Sequence, residues 1–264
     1  MDVIYRQQAK HKSLSMKGVN NADLTTSSQK HKCCVKIALL TEQLSVECAL
    51  MYHYMVRAKN LFLWRQKMTE ALQNQLKFLG IADGMKQVFR QTTLIDGTRY
   101  ENAAEHSWHF ALMAMTLLEH CVLDGVNIDR VIKMAIVHDL VEVFAGDTPA
   151  NDIAANVDKD EREREAADKL FALLPDKQAN EYRSLWEEFD AMKTPDSIYA
   201  SAVDRFQSFY LIHKSGTGSA WVKFNATAER TRTRVLPVKS AIPSLWQWIE
   251  DAIDENIAKG LLVN

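Results

Sequence analysis

AAEHSWHFALMAMTLLEHCVLDG, residues 103–125, is the stretch that decides the fold. It is apolar on most sides, with no alternation of period two. That pattern predicts a helix buried around most of its circumference rather than a surface helix or a strand. The next segment, NIDRVIKMAIVHDLVEVFAG (residues 127–146), reads the same way. Asn127 or Asp129 can cap its start, and Gly146 can end it.

Helical patterns continue in both directions. Upstream, MTEALQNQLKFLG (68–80) sets Leu72, Leu76 and Leu79 at helical spacing, with Gly80 as a C-cap, and LIDGTRYEN (94–102) reads as a loop turned at Asp96-Gly97. Downstream, KDEREREAADKLFALLP (159–175) is charged at its start and apolar at its end. Its charged run reads as a solvated face supported by Glu–Arg pairs. EYRSLWEEFDAM (181–192), DSIYASAVDRFQSFYLIHK (196–214) and SLWQWIEDAIDENIAKG (244–260) add three more helices, the second with Thr194 as N-cap and Pro195 as first helical residue. KSGTGSAW (214–221) reads as a loop. The expected class is all-α, six or more helices around one core.

Composition agrees with a globular chain: 47% hydrophobic and 25% charged over 264 residues. Nine Gly and five Pro are too few for a many-stranded sandwich or barrel. No run approaches the 18 apolar residues of a membrane span, and the first residues lack a secretory h-region, so a cytoplasmic chain away from membranes is expected. Cys33, Cys34, Cys48 and Cys121 form no C-x-x-C pair and are expected as free thiols.

The net charge of -2 hides an asymmetry. Residues 1–67 carry 11 basic and 4 acidic side chains, a formal +7, and residues 68–264 carry 21 basic and 30 acidic, a formal -9. Two regions are expected: a basic, partly disordered extension over 1–67, polar and aperiodic to residue 35, and the folded domain over 68–264. The extension reads as an interaction segment, as a basic arm, or, the favoured reading, as upstream sequence translated from an early start, since Met68 opens a natural first helix. The acidic domain argues against a nucleic-acid partner.

The chemistry-bearing residues are ionisable groups set in apolar helices. His106 lies near the start of the first long helix, His138 and Asp139 interrupt MAIVHDLVEVF, and Asp204 sits between Val203 and Phe206. Burying them is costly unless they are paired or metal-bound. Each has a bland reading on its own, as a hydrogen-bonded core histidine or half of a buried ion pair. Together they make a mixed nitrogen and oxygen set suited to Mn²⁺, Co²⁺, Fe²⁺ or Zn²⁺ rather than Ca²⁺. Glu142, four residues after His138, shares its helical face, and Asp147 follows Gly146 where the chain opens. A carboxylate beside a metal site is suited to general acid–base work. His109, three residues after His106, reads as packed or pocket-lining.

AEHS around His106, VHDLVEVFAGDTP around His138-Asp139 and AVDRFQ around Asp204 resemble the HD-domain metal-dependent phosphohydrolases, in particular the 5'-deoxynucleotidase (YfbR-like) branch. The resemblance runs from about Leu76 to Phe224. It implies an all-helical HD-domain bundle, a homodimer, and removal of phosphate from deoxynucleoside 5'-monophosphates with Co²⁺ or Mn²⁺, with Mg²⁺, Fe²⁺ or Zn²⁺ as alternatives. Carried over by position, it implies His106, His138, Asp139 and Asp204 as metal ligands. It implies Glu142 at the attacking water, Asp147 beside the deoxyribose, Arg90 on the phosphate, and Arg99 as a second arginine. The chain departs from the family in residues 1–67 and at Gln91, where some relatives have Trp. The competing expectations are another phosphohydrolase of the superfamily (a cyclic-nucleotide phosphodiesterase or a triphosphohydrolase) and a non-enzymatic binding module. No His occurs between His138 and His213, which argues against a two-metal centre. No ligand or Glu142 is missing, which argues against a binding module.

Overall fold

The structure, a computed structural model, describes residues 27–150 and 152–264, and their side chains except those of 27–45 and 62–69. Ten α-helices and one two-stranded sheet occur among the described residues, in keeping with the all-α expectation. None of these helices is long and apolar enough to cross a membrane. The chain divides into two units, Met1–Lys67 and Met68–Asn264.

Helix α1 is Ser27–Ala82. It includes residues 27–35 of the stretch read as aperiodic, whereas residues 1–26 lie outside the described residues. In the first unit, every described side chain, from Val46 to Leu61, is exposed. The side chains of Leu39, Leu40 and Trp64 lie outside those described.

In the second unit, α1 does not stop at Gly80 but continues to Ala82 and into a 3₁₀ turn, Asp83–Gln87. The expected apolar stripe is also on the wrong side: Leu72, Leu76 and Leu79 are 55–60% exposed. The inward face is Ala71, Gln75, Phe78 and Ala82. At roughly 100° per residue this face lies about a quarter turn from the leucines. Phe78 packs against Tyr182, and Gln75 hydrogen-bonds Gln178.

The segment read as a loop is the end of a hairpin. Strands β1 (Phe89–Thr93) and β2 (Tyr100–Asn102) pair antiparallel, Phe89 opposite Asn102 and Thr93 opposite Tyr100, with a register irregularity between. The turn forms as Asp96-Gly97 predicts: Gly97 has φ +71, and Asp96 Oδ1 accepts from Thr98 N–H at 3.0 Å. The strands are too short for alternation to be legible in sequence.

Nine further helices follow: α2 Ala103–Leu117, α3 Ile128–Val137, α4 Glu142–Ala145, α5 Lys159–Phe171, α6 Asp176–Ala191, α7 Pro195–Ser215, α8 Ser219–Lys223, α9 Ala228–Ala241 and α10 Trp246–Ala258. Helix α2 starts on a capping box, with Asn102 accepting from Glu105 N–H and the Glu105 carboxylate accepting from Asn102 N–H. It ends at Leu117, short of Gly125, and Val122 N–H bonds the Ala241 carbonyl instead.

Helix α7 is the axis of the second unit. Thr194 caps it reciprocally with Ser197, Pro195 is its first residue, and Gly216 closes it in the left-handed region at φ 65. It packs on α2, α3, α6 and α9. Tyr199 donates its hydroxyl to the Ala114 carbonyl at 2.7 Å, joining α7 to α2. Phe110, Met134, Leu170, Leu185, Ile249 and Ile253 fill the core around it. Burial of side chains of this size contributes about 1.5–3 kcal/mol each.

Candidate metal centre

The sequence predicts one helix over 127–146, on which His138 and Asp139 diverge by about 100° and reach one metal if a side chain extends sideways. Instead α3 ends at Val137. Leu140, Glu142 and Val143 donate to the carbonyls three residues back (Val137, Asp139 and Leu140), so the chain tightens into a 3₁₀-like turn before α4. In this turn His138 Nε2 and Asp139 Oδ1 come within 3.1 Å of each other. His106, fully buried near the start of α2, brings Nε2 to 3.8 Å from Asp139 Oδ2. Potential ligand atoms of His106, His138 and Asp139 all lie within 4.8 Å of one another. Asp204, on α7, joins them: its Oδ1 is 3.0 Å from His106 Nε2 and 3.9 Å from His138 Nε2.

The tautomers follow from the outer ring of hydrogen bonds. His138 Nδ1–H donates to the Ala135 carbonyl at 3.0 Å. Gln207 donates its amide to Glu101 Oε2 at 2.9 Å, which turns its Oε1 toward His106 Nδ1 at 2.8 Å. Each ring thus spends its proton on Nδ1 and aims an Nε2 lone pair inward. Both Nε2 atoms are buried and have no hydrogen-bond partner. Two bare lone pairs facing two carboxylates repel unless a cation lies among them. The donor set therefore fits a divalent metal ion.

The charges around the centre are correspondingly perturbed. Burial works to raise the Asp139 carboxyl, but His138 and Arg90 beside it hold it well below the usual carboxylate range. Burial opposes Asp204 in the same way, and the imidazoles of His106 and His138 beside it hold it low. Glu142, 6% exposed, is pushed well up, first by burial and then by Asp139. Asp147 is raised for the same reasons, against the pull of Arg90.

The two arginines separate. Arg90, on β1, donates Nη1–H to Asp139 Oδ2 at 2.7 Å and lies 3.4 Å from Glu101 Oε1. Arg99 is at the exposed end of the hairpin, bonded to both oxygens of Glu105 at 2.7 and 2.8 Å, where it braces the cap of α2.

Sequence reasoning missed several residues. Gln207 and Glu101, both buried, set the His106 ring, and Gln207 also meets His109 Nδ1 at 3.2 Å, which makes His109 part of this network. A polar Gln207 three residues after Asp204 in an apolar helix was the available signal. The run read as a solvated face hides Arg162, which donates to the carbonyls of Ala145 and Ala155 at 2.9 Å and to Thr148 Oγ1 at 3.1 Å. It holds the loop that carries Asp147.

A cavity beside the centre is lined by Arg90, Asp147, Thr148, Ser208, Arg205 and Arg234, with Phe209 and Trp221 among its apolar walls. Arg234 comes from α9, a helix absent from the sequence reading, whose Pro237 and many charges obscure any apolar period.

The model of the HD domain matches residues 82–246, more than half of the chain and the whole of this site. The chain belongs to the HD-domain family. Among solved structures, an HD-domain neighbour is a crystal structure from Magnetospirillum magnetotacticum MS-1, described as a predicted metal-dependent phosphohydrolase. It is 38% identical with a TM-score of 0.69, over 74% of this chain and 97% of that one. Among curated proteins, the chain is similar to 5'-deoxynucleotidase HDDC2 of Danio rerio, 27% identical over 54% of this chain and 70% of the relative. It is also similar to 5'-deoxynucleotidase HDDC2 of Homo sapiens, 30% identical over 49% of this chain and 62% of the relative. The alignments thus span about two thirds of these relatives' own length.

Proposed function

We propose that this HD-domain chain is a metal-dependent phosphohydrolase that releases phosphate from deoxynucleoside 5'-monophosphates. The observation that carries the reading is the pair of buried, unpartnered Nε2 atoms of His106 and His138 facing the carboxylates of Asp139 and Asp204. The names of the curated relatives support the choice of substrate. His106, His138, Asp139 and Asp204 would hold the metal, with Co²⁺ or Mn²⁺ as the expected ions. A divalent ion there would supply Lewis-acid activation of water and of a phosphoryl oxygen.

The chain's own residues do the rest. Burial raises the Glu142 carboxyl well above the ordinary carboxylate range, which suits it to handle the proton of the attacking water. Arg90 holds Asp139 in place and adds positive charge where the phosphate must approach. Asp147, on the loop that Arg162 holds, lines the cavity and would meet the sugar. The same proposal includes a homodimer and a cytoplasmic location.

The test is a phosphate-release screen of nucleoside monophosphates against a panel of divalent metals. Release from deoxynucleoside 5'-monophosphates with Co²⁺ or Mn²⁺ is expected. Turnover of only cyclic nucleotides or triphosphates would replace this reading with a different phosphohydrolase activity.

A further inference from the structure

The cavity beside the metal centre has three guanidinium groups on its wall, and they are not equivalent. Arg90 is committed, with Asp139 at 2.7 Å and Glu101 at 3.4 Å. Arg205 and Arg234 have no carboxylate at ion-pair distance among the described residues. Arg205 donates instead to the Arg234 carbonyl at 3.2 Å and to Met192 Sδ at 3.2 Å. That contact ties α7 to α9 and brings both arginines to one wall. A half-buried cation without a counter-charge is costly to keep, and an incoming anion removes the cost.

We propose that Arg205 and Arg234 join Arg90 in the subsite that takes the phosphate group of the substrate. The assignment rests on the phosphohydrolase reading above. Two guanidinium forks offer paired N–H donors that match phosphate oxygens, as point-like ammonium groups do not. Ser208 and Thr231, also on the cavity wall, add neutral hydroxyls. Arg90, held by Asp139, adds its charge on the same wall.

The test uses the full, metal-loaded chain and two probes, 2'-deoxyadenosine 5'-monophosphate and inorganic phosphate. In Arg234→Gln and Arg205→Gln we expect KM for the nucleotide to rise by about tenfold to a hundredfold, the size of a lost charge-assisted hydrogen bond. The dissociation constant for inorganic phosphate, read by calorimetry, should rise in parallel, and Arg234→Lys should recover part of both. A merely structural role would lower the melting temperature without moving phosphate affinity, and that result overturns the proposal. So do KM and phosphate affinity within twofold of the parent in both Gln variants. If Arg234→Gln does not fold, Arg205→Gln alone decides. If the parent hydrolyses no nucleoside monophosphate yet binds phosphate, and the Gln variants lose that binding, the subsite stands and the activity reading falls. If the parent binds no phosphate, the subsite falls.

Discussion

The exposed stretch of α1 from Val46 to Leu61 and the buried face where α2, α3 and α7 meet invert the usual expectation about polarity. Leu50, Tyr52, Tyr54, Met55 and Leu61 are apolar and exposed, whereas His106, His138, Glu142 and Gln207 are polar and buried. Residue type alone therefore does not decide burial here. A polar side chain goes inside where partners are built for it, as Ala135 and Gln207 are for the two imidazoles. An apolar side chain goes inside only where another element presents a face to it.

The comparison is broken most severely at the metal centre. Asp204→Ala or His138→Ala should abolish divalent-metal binding and turnover together, as measured by metal content and phosphate release. Retention of stoichiometric metal in Asp204→Ala would remove Asp204 from the ligand set. In the parent, adding metal at about 100 times its Kd should stabilise the fold by about 2.7 kcal/mol, and a chelator should reverse it.

Glu142→Gln should cost about 10²–10⁴-fold in rate, the usual share of a general acid–base group, with metal content unchanged. It should also stabilise the metal-free protein in a pH-dependent way. Burial raises the Glu142 carboxyl in the folded state, so the folded chain holds a proton that the unfolded chain has released. Stability of the parent therefore falls as pH climbs above the ordinary carboxylate range toward the raised value. The gain in melting temperature from Glu142→Gln should be larger at pH 8 than at pH 5; an equal gain at both would contradict the burial argument.

Gln207→Leu tests the outer ring. Freed from its acceptor, the His106 ring loses its fixed tautomer, and metal affinity should fall about 10–100-fold, with turnover recovering at saturating metal. Unchanged affinity would make the Glu101–Gln207–His106 chain a packing feature only.

The smallest effect is expected at the other end of the comparison. A chain beginning at Met68 should keep its phosphohydrolase rate and its melting temperature, since the four proposed ligands, Glu142, Asp147 and Arg90 all follow that position. A loss of several degrees or of most of the rate would show that residues 1–67 belong to the working enzyme.

The sequence by itself was enough for the class of fold and for four ionisable residues that the structure gathers at one point, His106, His138, Asp139 and Asp204. Apolar runs of helical period, with caps such as Thr194-Pro195, specify helices locally. An ionisable group inside such a run announces itself because burying it is costly. What sequence could not supply is whatever depends on where two distant elements meet. His106 and Asp204 reach His138 and Asp139 only because α2 and α7 pack beside the end of α3, and residue types do not show that. The outward turn of Leu72, Leu76 and Leu79 depends on which face α6 covers. Arg162 resembles its charged neighbours until Ala145, Thr148 and Ala155 fold over it, and Arg205 and Arg234 become a pair only when α7 lies beside α9. Caps and periodicity involve neighbours within one turn of chain, so local sequence encodes them. Ligand convergence and unpaired guanidinium groups arise from contacts made across the chain, and only the packed structure decides those.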